Sequence, residues 1–427
     1  MWKRMNPAEL RALLAGGREA LFAEQEAAVR TTIGAVRSEG DEALYRVTER
    51  FDGVDLRASG LAVRPEEWDL TLDPSYYESM ERAIENIRSF HQGERVESWT
   101  TTRPNGTVIG QRVMPVQRAG IYVPGGSAPL LTCLLMTVIP AQVAGVEEII
   151  ICTPPDKQGR IDPHLLAAAK ACGVSQVYKL GGAQAIAAMA YGTQTIPAVD
   201  LIAGPGSPWV MLAKKLVAGQ VGIDMLAGPT EVVVVDDGSE PVEWLAADLL
   251  SQAEHPNGMV ILLTLAGSDR LAAVEAEMAR QTARLERQET ILASLTERGV
   301  AVAVASLTEA AELLNRVAPE HLQLALTEPW EFLPSVRNAG AVFLGRWTPE
   351  AIGDYIAGPS NVIPTEGTAR YASPVSVSTF LKRSSVVCYS EAAYRSDAPH
   401  GVRLATAEQL QAHRNSLAIR LTGGESK

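Results

Sequence analysis

The chain has 427 residues, 46% of them apolar and 21% charged, with a formal charge of −12 and only 5% aromatics. This composition excludes wholesale disorder, and the negative charge and scarce aromatics argue against nucleic acid or an anionic membrane as main partners. The length predicts about two to four domains, and no run reaches the roughly 20 clean apolar residues of a membrane span.

The N-terminus has no long apolar core of a signal peptide. Pro7, Ala8, Leu10, Leu13 and Leu14 predict a helix, and Phe22 to Phe51 continues in helical spacing through Val29, Ile33, Val36 and Leu44. The richest apolar stretch, Leu130 to Val146, contains Pro140 and Gln142. From about residue 120, short apolar runs alternate with helical stretches. Glu148–Cys152, Gln176–Leu180, Asp200–Ala203, Glu231–Val235 and Met259–Thr264 read as buried strands. Ala183–Tyr191 and Pro208–Ala218 read as intervening helices, and further strand signals cover Val300–Ala305, Leu322–Leu326 and Gly340–Leu344. Strand–helix alternation predicts an α/β fold with parallel sheets. The residues from about Ser376 are mixed and polar and end in a helix predicted around Glu408–Leu421. Cys133, Cys152, Cys172 and Cys388 lack CxxC spacing, which predicts reduced thiols in a cytoplasmic protein; Cys133 and Cys152 read as core.

Three glycine-bearing turns end apolar runs: Tyr122-Val-Pro-Gly-Gly, Leu180-Gly-Gly-Ala-Gln and Ala203-Gly-Pro-Gly. Any one is equally a plain strand-to-helix turn, and the GxGxxG dinucleotide fingerprint is absent. Together they predict a ligand crevice at the carboxyl ends of strands, where backbone amides favour phosphate.

The chain has six histidines. Gln252 and His255 are three apart, a helical spacing that places both on one face. With Asp354 and His413 they would form an N/O donor set suited to zinc, the alternative being ordinary surface and capping residues. Glu320 and His321 stand side by side before an apolar run. An imidazole there suits proton transfer at neutral pH and a carboxylate suits activation of water, unless the two are only a polar strand entry.

Leu249-Leu-Ser-Gln-Ala-Glu-His255, Ala318-Pro-Glu-His-Leu322, Gly353-Asp-Tyr355, Gly367-Thr-Ala-Arg370 and the segments starting at Tyr122 and Ala412 come in one order. In that order the chain resembles the histidinol dehydrogenase family over nearly its whole length. The resemblance implies zinc- and NAD-dependent oxidation of L-histidinol to L-histidine through the aldehyde, in histidine biosynthesis. The zinc ligands would be Gln252, His255, Asp354 and His413, and His321 and Glu320 would serve the alcohol and aldehyde steps in turn. Tyr122, Gln184 and Ser207 would contact NAD. Thr230, Asn361 and Glu408 would contact substrate, together with Gln252, His255, His321, Asp354 and His413. The implied fold has two Rossmann-like domains: a metal and substrate domain from 25–121 and 232–375, and an NAD-binding domain over 122–231. A helical arm over 1–24 precedes them, and a segment over 376–427 is swapped between the subunits of a homodimer.

Three positions depart from the family pattern. Ser207 replaces its usual asparagine, Thr230 its usual serine, and Asn361 a histidine. They keep open a second substrate class, another primary alcohol such as a sulfonated diol. A zinc hydrolase using Glu320 without a nicotinamide is a third reading, against which the glycine turns speak.

Overall fold

The computed structural model describes residues 2–15, 23–125 and 129–422. Phe22 and the Gly126-Ser-Ala128 part of the first glycine turn lie outside the described residues. By packing, the chain divides into two units, Met1–Glu94 with Val116–Phe380, and Arg95–Pro115 with Leu381 onward.

The first unit holds two parallel sheets. One runs in the order Gln176–Lys179, Glu148–Thr153, Arg118–Tyr122, Leu201–Ala203, Gly222–Ile223. The other runs Lys3–Met5, Gly299–Ala303, Met259–Thr264, Glu231–Asp236, His321–Ala325, Ala341–Leu344. Its central strand, EVVVVD, is buried at every residue. Continuous burial is what a parallel sheet covered by helices on both faces demands, and it explains why these strands read as apolar runs. In each sheet the chain leaves a central strand towards one edge and later returns on the strand's other side. Such a reversal opens a crevice at the strand ends.

The predicted strands and helices of this unit recur with shifts of a residue or two at their ends, except that the helical stretch read through Phe51 is two helices divided at Gly40, φ +61°. Two features differ from the sequence reading. Lys3–Met5, expected as part of a helical arm, is an edge strand beside Gly299–Ala303; a three-residue strand has no periodicity of its own, and tertiary pairing creates it. The helices Ala23–Glu39, Asp41–Asp52 and Pro74–Gln92 cover the sheet of Arg118–Tyr122, whereas the family resemblance implied grouping 25–121 with 232–375. Val29, Ile33, Val36 and Leu44 share a core with Ile186, Met189 and Val210. Helical spacing identifies such a stripe but not the sheet it will cover.

In the second unit, Trp99–Thr102, Val108–Pro115 and Leu381–Cys388 form an antiparallel sheet. The terminal helix expected around 408–421 is present as Gln411–Ala418, and a further helix, Glu391–Ala407, precedes it, the two separated where Gln409 takes φ +61°. Leu381–Cys388 is exposed over nearly its whole length, and the unit buries few apolar side chains, among them Ala393, Ala398 and Ala405.

Candidate active site

Arg118–Tyr122 and Leu201–Ala203 are neighbours at the reversal point of the first sheet, so two of the three glycine turns meet there. At Gly204, φ is +119°, and a Cβ would fall 2.0 Å from the Tyr122 carbonyl oxygen; only glycine fits. A buried ion pair holds this peptide on both sides. Asp224 accepts from the Gly204 N–H at 2.8 Å, and Lys214, paired with Asp224, donates to the Gly204 carbonyl at 2.9 Å. The turn then delivers Ser207 as N-cap of the helix Pro208–Val217. Free backbone amides at a helix start beside a glycine turn suit a phosphate-bearing cofactor. Tyr122 and Gln184 are buried behind this wall, where the Tyr122 hydroxyl accepts from the Gly182 N–H at 3.1 Å.

The second sheet contributes the amino ends of Glu231–Asp236 and His321–Ala325. The helix Leu307–Val317 stops at Ala318, φ +52°, and Pro319 and Glu320 carry the chain into the strand. Glu320 accepts from the Thr230 hydroxyl at 2.5 Å and from the Glu231 N–H at 2.9 Å. Burial raises its carboxyl well above the ordinary range, and these two donors oppose the rise. Thr230 in turn accepts from the Gln252 amide nitrogen at 2.5 Å. His321 Nδ1 lies 3.2 Å from the Glu231 carbonyl, so it carries the proton and leaves Nε2 as the free base. Burial lowers the imidazolium to about 4, so the ring is neutral at pH 7. Nε2 is buried without a hydrogen-bond partner, 3.6 Å from Glu350 and 4.0 Å from Asp354.

Glu350 and Asp354 lie one turn apart on the helix Glu350–Tyr355; burial raises both carboxyls, Asp354 raises Glu350 further, and the hydrogen bond from Glu350 opposes the rise at Asp354. Among the described residues, His321, Glu350 and Asp354 can bring ligand atoms within 4.8 Å of one another. Gln252 ends the helix Val242–Ala253, with its amide nitrogen committed to Thr230 and its oxygen left to accept a cation. His255 lies just beyond the helix end rather than on it, and burial lowers its pKa, which keeps the imidazole neutral as a metal ligand requires. An amide oxygen, a neutral imidazole and a carboxylate fit zinc.

A cavity of about 800 Å³ joins the two sides. It is lined by Ser207, Thr230, His255, Glu320, His321, Asp354 and Asn361 among others. Its described lining includes the carboxylates Glu320, Asp354 and Glu366 and no lysine or arginine. Glu408 and His413 belong to the second unit, where both are exposed, Glu408 capping one helix and His413 lying on the next. The sequence reading missed Glu350 and Glu366. The four-residue spacing of Glu350 and Asp354 is a usable signal on a helix, whereas Glu366 has none.

The histidinol dehydrogenase family profile matches residues 18–421. The chain belongs to the histidinol dehydrogenase family. It is 64% identical over 414 residues to the histidinol dehydrogenase of Symbiobacterium thermophilum, covering 96% of this chain and 94% of the relative. The enzyme of Desulfotalea psychrophila is 49% identical, covering 93% of each. The crystal structure of histidinol dehydrogenase from Elizabethkingia anophelis superposes with a TM-score of 0.91 at 34% identity, covering 100% of this chain and 99% of that one.

Against the histidinol dehydrogenase pattern, two of the three departures find a local account. Thr230 keeps the hydroxyl that links Gln252 to Glu320. Asn361 directs its amide nitrogen at the Asp354 carbonyl, 3.5 Å away, and leaves its oxygen buried without a partner. That oxygen is an acceptor where a titrating ring would stand. Ser207 makes no side-chain cap and lines the cavity.

Proposed function

We propose that this chain catalyses the zinc- and NAD-dependent four-electron oxidation of L-histidinol to L-histidine, by way of the aldehyde, as a cytoplasmic enzyme of histidine biosynthesis. One observation carries the reading: a neutral imidazole and a separately hydrogen-bonded carboxylate, adjacent in sequence, line one cavity together with Ser207 of the glycine turn. When bound, zinc would template the substrate's two nitrogens and NAD would accept the hydrides.

In the alcohol step, His321 Nε2 takes the hydroxyl proton, without which hydride cannot leave the carbon. In the aldehyde step, Glu320 takes a proton from water as it adds to the carbonyl; the hydrated carbon then has a second hydride to give. Gln252, His255 and Asp354 would hold the metal, with His413 as fourth ligand. Tyr122, Gln184 and Ser207 would hold NAD, Tyr122 and Gln184 by shaping the wall behind it.

A sulfonated diol carries a fixed negative charge. The described lining of the cavity has neither lysine nor arginine, so no side-chain cation stands there to receive such a charge. The homodimer is supported by the second unit: with few buried apolar residues and an exposed strand, it is a poor core by itself. In the swapped arrangement Glu408 and His413 would complete the partner's site.

The test is NAD reduction by purified protein. Two NADH per histidinol supports the reading; reduction with sulfonated diols alone overturns it. His321→Asn should slow the alcohol step, and Glu320→Gln the aldehyde step, each by about 10²–10⁴-fold.

A further inference from the structure

The chain leaves the first sheet at Gly222–Ile223 and enters the second at Glu231–Asp236, so Asp224 to Thr230 bridge the two sheets. Gly222–Ile223 runs parallel to Leu201–Ala203, and the Asp224 N–H donates to the Ile202 carbonyl at 3.1 Å. The two strands therefore end together and then diverge. Leu201–Ala203 runs on into the Gly204 turn, which presents Pro205, Gly206 and Ser207 to the cavity. Gly222–Ile223 runs on into the bridge, which presents Gly228, Pro229 and Thr230 to the same cavity.

The Lys214–Asp224 ion pair stands at this fork, with both side chains buried. One Asp224 oxygen accepts from the Gly204 N–H at the head of the turn. The other accepts from the Met225 N–H, at 2.5 Å, at the head of the bridge. Lys214 reaches the pair, and the Gly204 carbonyl, from within the helix that Ser207 caps. One ion pair thus ties together a turn, a helix and the bridge. The far end of the bridge is fixed separately: the Gly228 N–H donates to the Thr365 hydroxyl and the Thr230 hydroxyl to Glu320, each at 2.5 Å. Two hydrogen bonds to one peptide do not require charges, and burying opposite charges carries a desolvation penalty that can exceed their attraction. What the pair supplies is a fixed geometry, since neither partner can leave without stranding the other's charge. The geometry fixed here is that of the phosphate-binding turn relative to Thr230 and, through it, Glu320.

We propose that Lys214 and Asp224 are positioning residues for hydride transfer, which hold the cofactor turn and the Thr230 bridge in one register. The inference rests on the reading above, that the glycine turn takes NAD. Neither residue belongs to the described lining of the cavity, so both act through the backbone they hold.

The test compares Lys214→Met, Asp224→Asn and the double variant, which removes both charges together and leaves no buried charge unpaired. The double variant should keep a melting temperature close to that of wild type and its full zinc content. Its affinity for NADH, from fluorescence titration without substrate, should fall about tenfold, as for a lost hydrogen bond to a charged group. Hydride transfer should slow more, by up to about 10²-fold, as for a misplacement of about 1 Å. The isotope effect with histidinol deuterated at the alcohol carbon should rise accordingly. Because the pair acts as a unit, the double variant should bind NADH no worse than either single variant. A second double variant, Lys214→Gln with Asp224→Asn, keeps a donor and an acceptor for the Gly204 peptide and should lie between the first and wild type. A merely structural role predicts single variants that melt early, while every folded variant binds NADH as wild type does. Wild-type NADH affinity with an unchanged isotope effect in the double variants overturns the proposal, as do losses that add across the two single variants. Wild-type protein that neither binds NADH nor oxidises histidinol refutes the underlying reading and this proposal with it. Wild-type turnover with unaffected variants refutes this proposal alone.

Discussion

Replacing Thr230 by valine keeps the side-chain shape and removes one oxygen. That oxygen does two things: it donates to Glu320 at 2.5 Å and accepts from Gln252 at 2.5 Å. The bond to Glu320 favours the ionised carboxylate, against the desolvation that raises its pKa. A hydrogen bond to a charged group contributes about 1.5–3 kcal/mol. At about 1.4 kcal/mol per pKa unit, its loss should raise the Glu320 pKa by about one to two units. As a base in the aldehyde step, Glu320 must be ionised. The rising limb of the pH–rate profile for aldehyde oxidation should therefore move about one to two units to higher pH in Thr230→Val. Below the limb the rate should fall about 10- to 100-fold; well above it, wild type and variant should converge. The alcohol step depends on His321, whose Nδ1 partner is the Glu231 carbonyl, and its profile should move far less. Thr230→Ser keeps the hydroxyl and should behave as wild type. The measurement is NADH formation from the aldehyde and from the alcohol as a function of pH. A limb that stays in place in Thr230→Val, or moves equally for both substrates, would refute the coupling of Thr230 to Glu320.

Removing the metal with a chelator should abolish turnover and added Zn²⁺ should restore it, while His255→Ala should lose metal on dialysis because one ligand of the set is gone; full zinc content in that variant contradicts the assignment. Burial raises the Glu231 carboxyl from 4.5 to about 7, so the folded state holds a proton there that the unfolded chain releases. The stability from this proton is complete below pH 4.5 and is lost as pH rises towards 7. Glu231→Gln should accordingly raise the denaturation midpoint relative to wild type more at pH 8 than at pH 5, and an equal change at both would count against it. If the chain forms the proposed swapped dimer, His255→Ala and His413→Ala proteins should each be nearly inactive, and refolding them together should return roughly a quarter of wild-type activity, since about half the dimers would be mixed and each would carry one intact site. No recovery would mean that His413 serves its own chain.

The parallel sheets were legible in the sequence because strands covered on both faces are unbroken apolar runs; Met259–Thr264 has the bounds its composition predicts. The Glu320–His321 pair was legible because its members are adjacent, whereas the helical spacing read for Gln252 and His255 does not apply, since the helix ends at Ala253 and His255 lies beyond it. The three-residue strand Lys3–Met5 and the break at Gln409 were not, since each exists through long-range pairing or local backbone strain that no residue pattern encodes.

Local chemistry thus determined which residue types are present and which neighbours they have. Tertiary structure alone decided which distant groups meet. It carried Thr230, at the start of one strand, to Glu320, ninety residues on at the start of the next, and placed Glu350 beside His321. It buried Lys214 against Asp224 to fix the Gly204 turn, and it turned Glu366 into the cavity past Gly228. The physical reason is that protonation and tautomer depend on burial and on hydrogen-bond partners. Both are properties of the packed chain, and the same glutamate or histidine has neither until the sheets have formed.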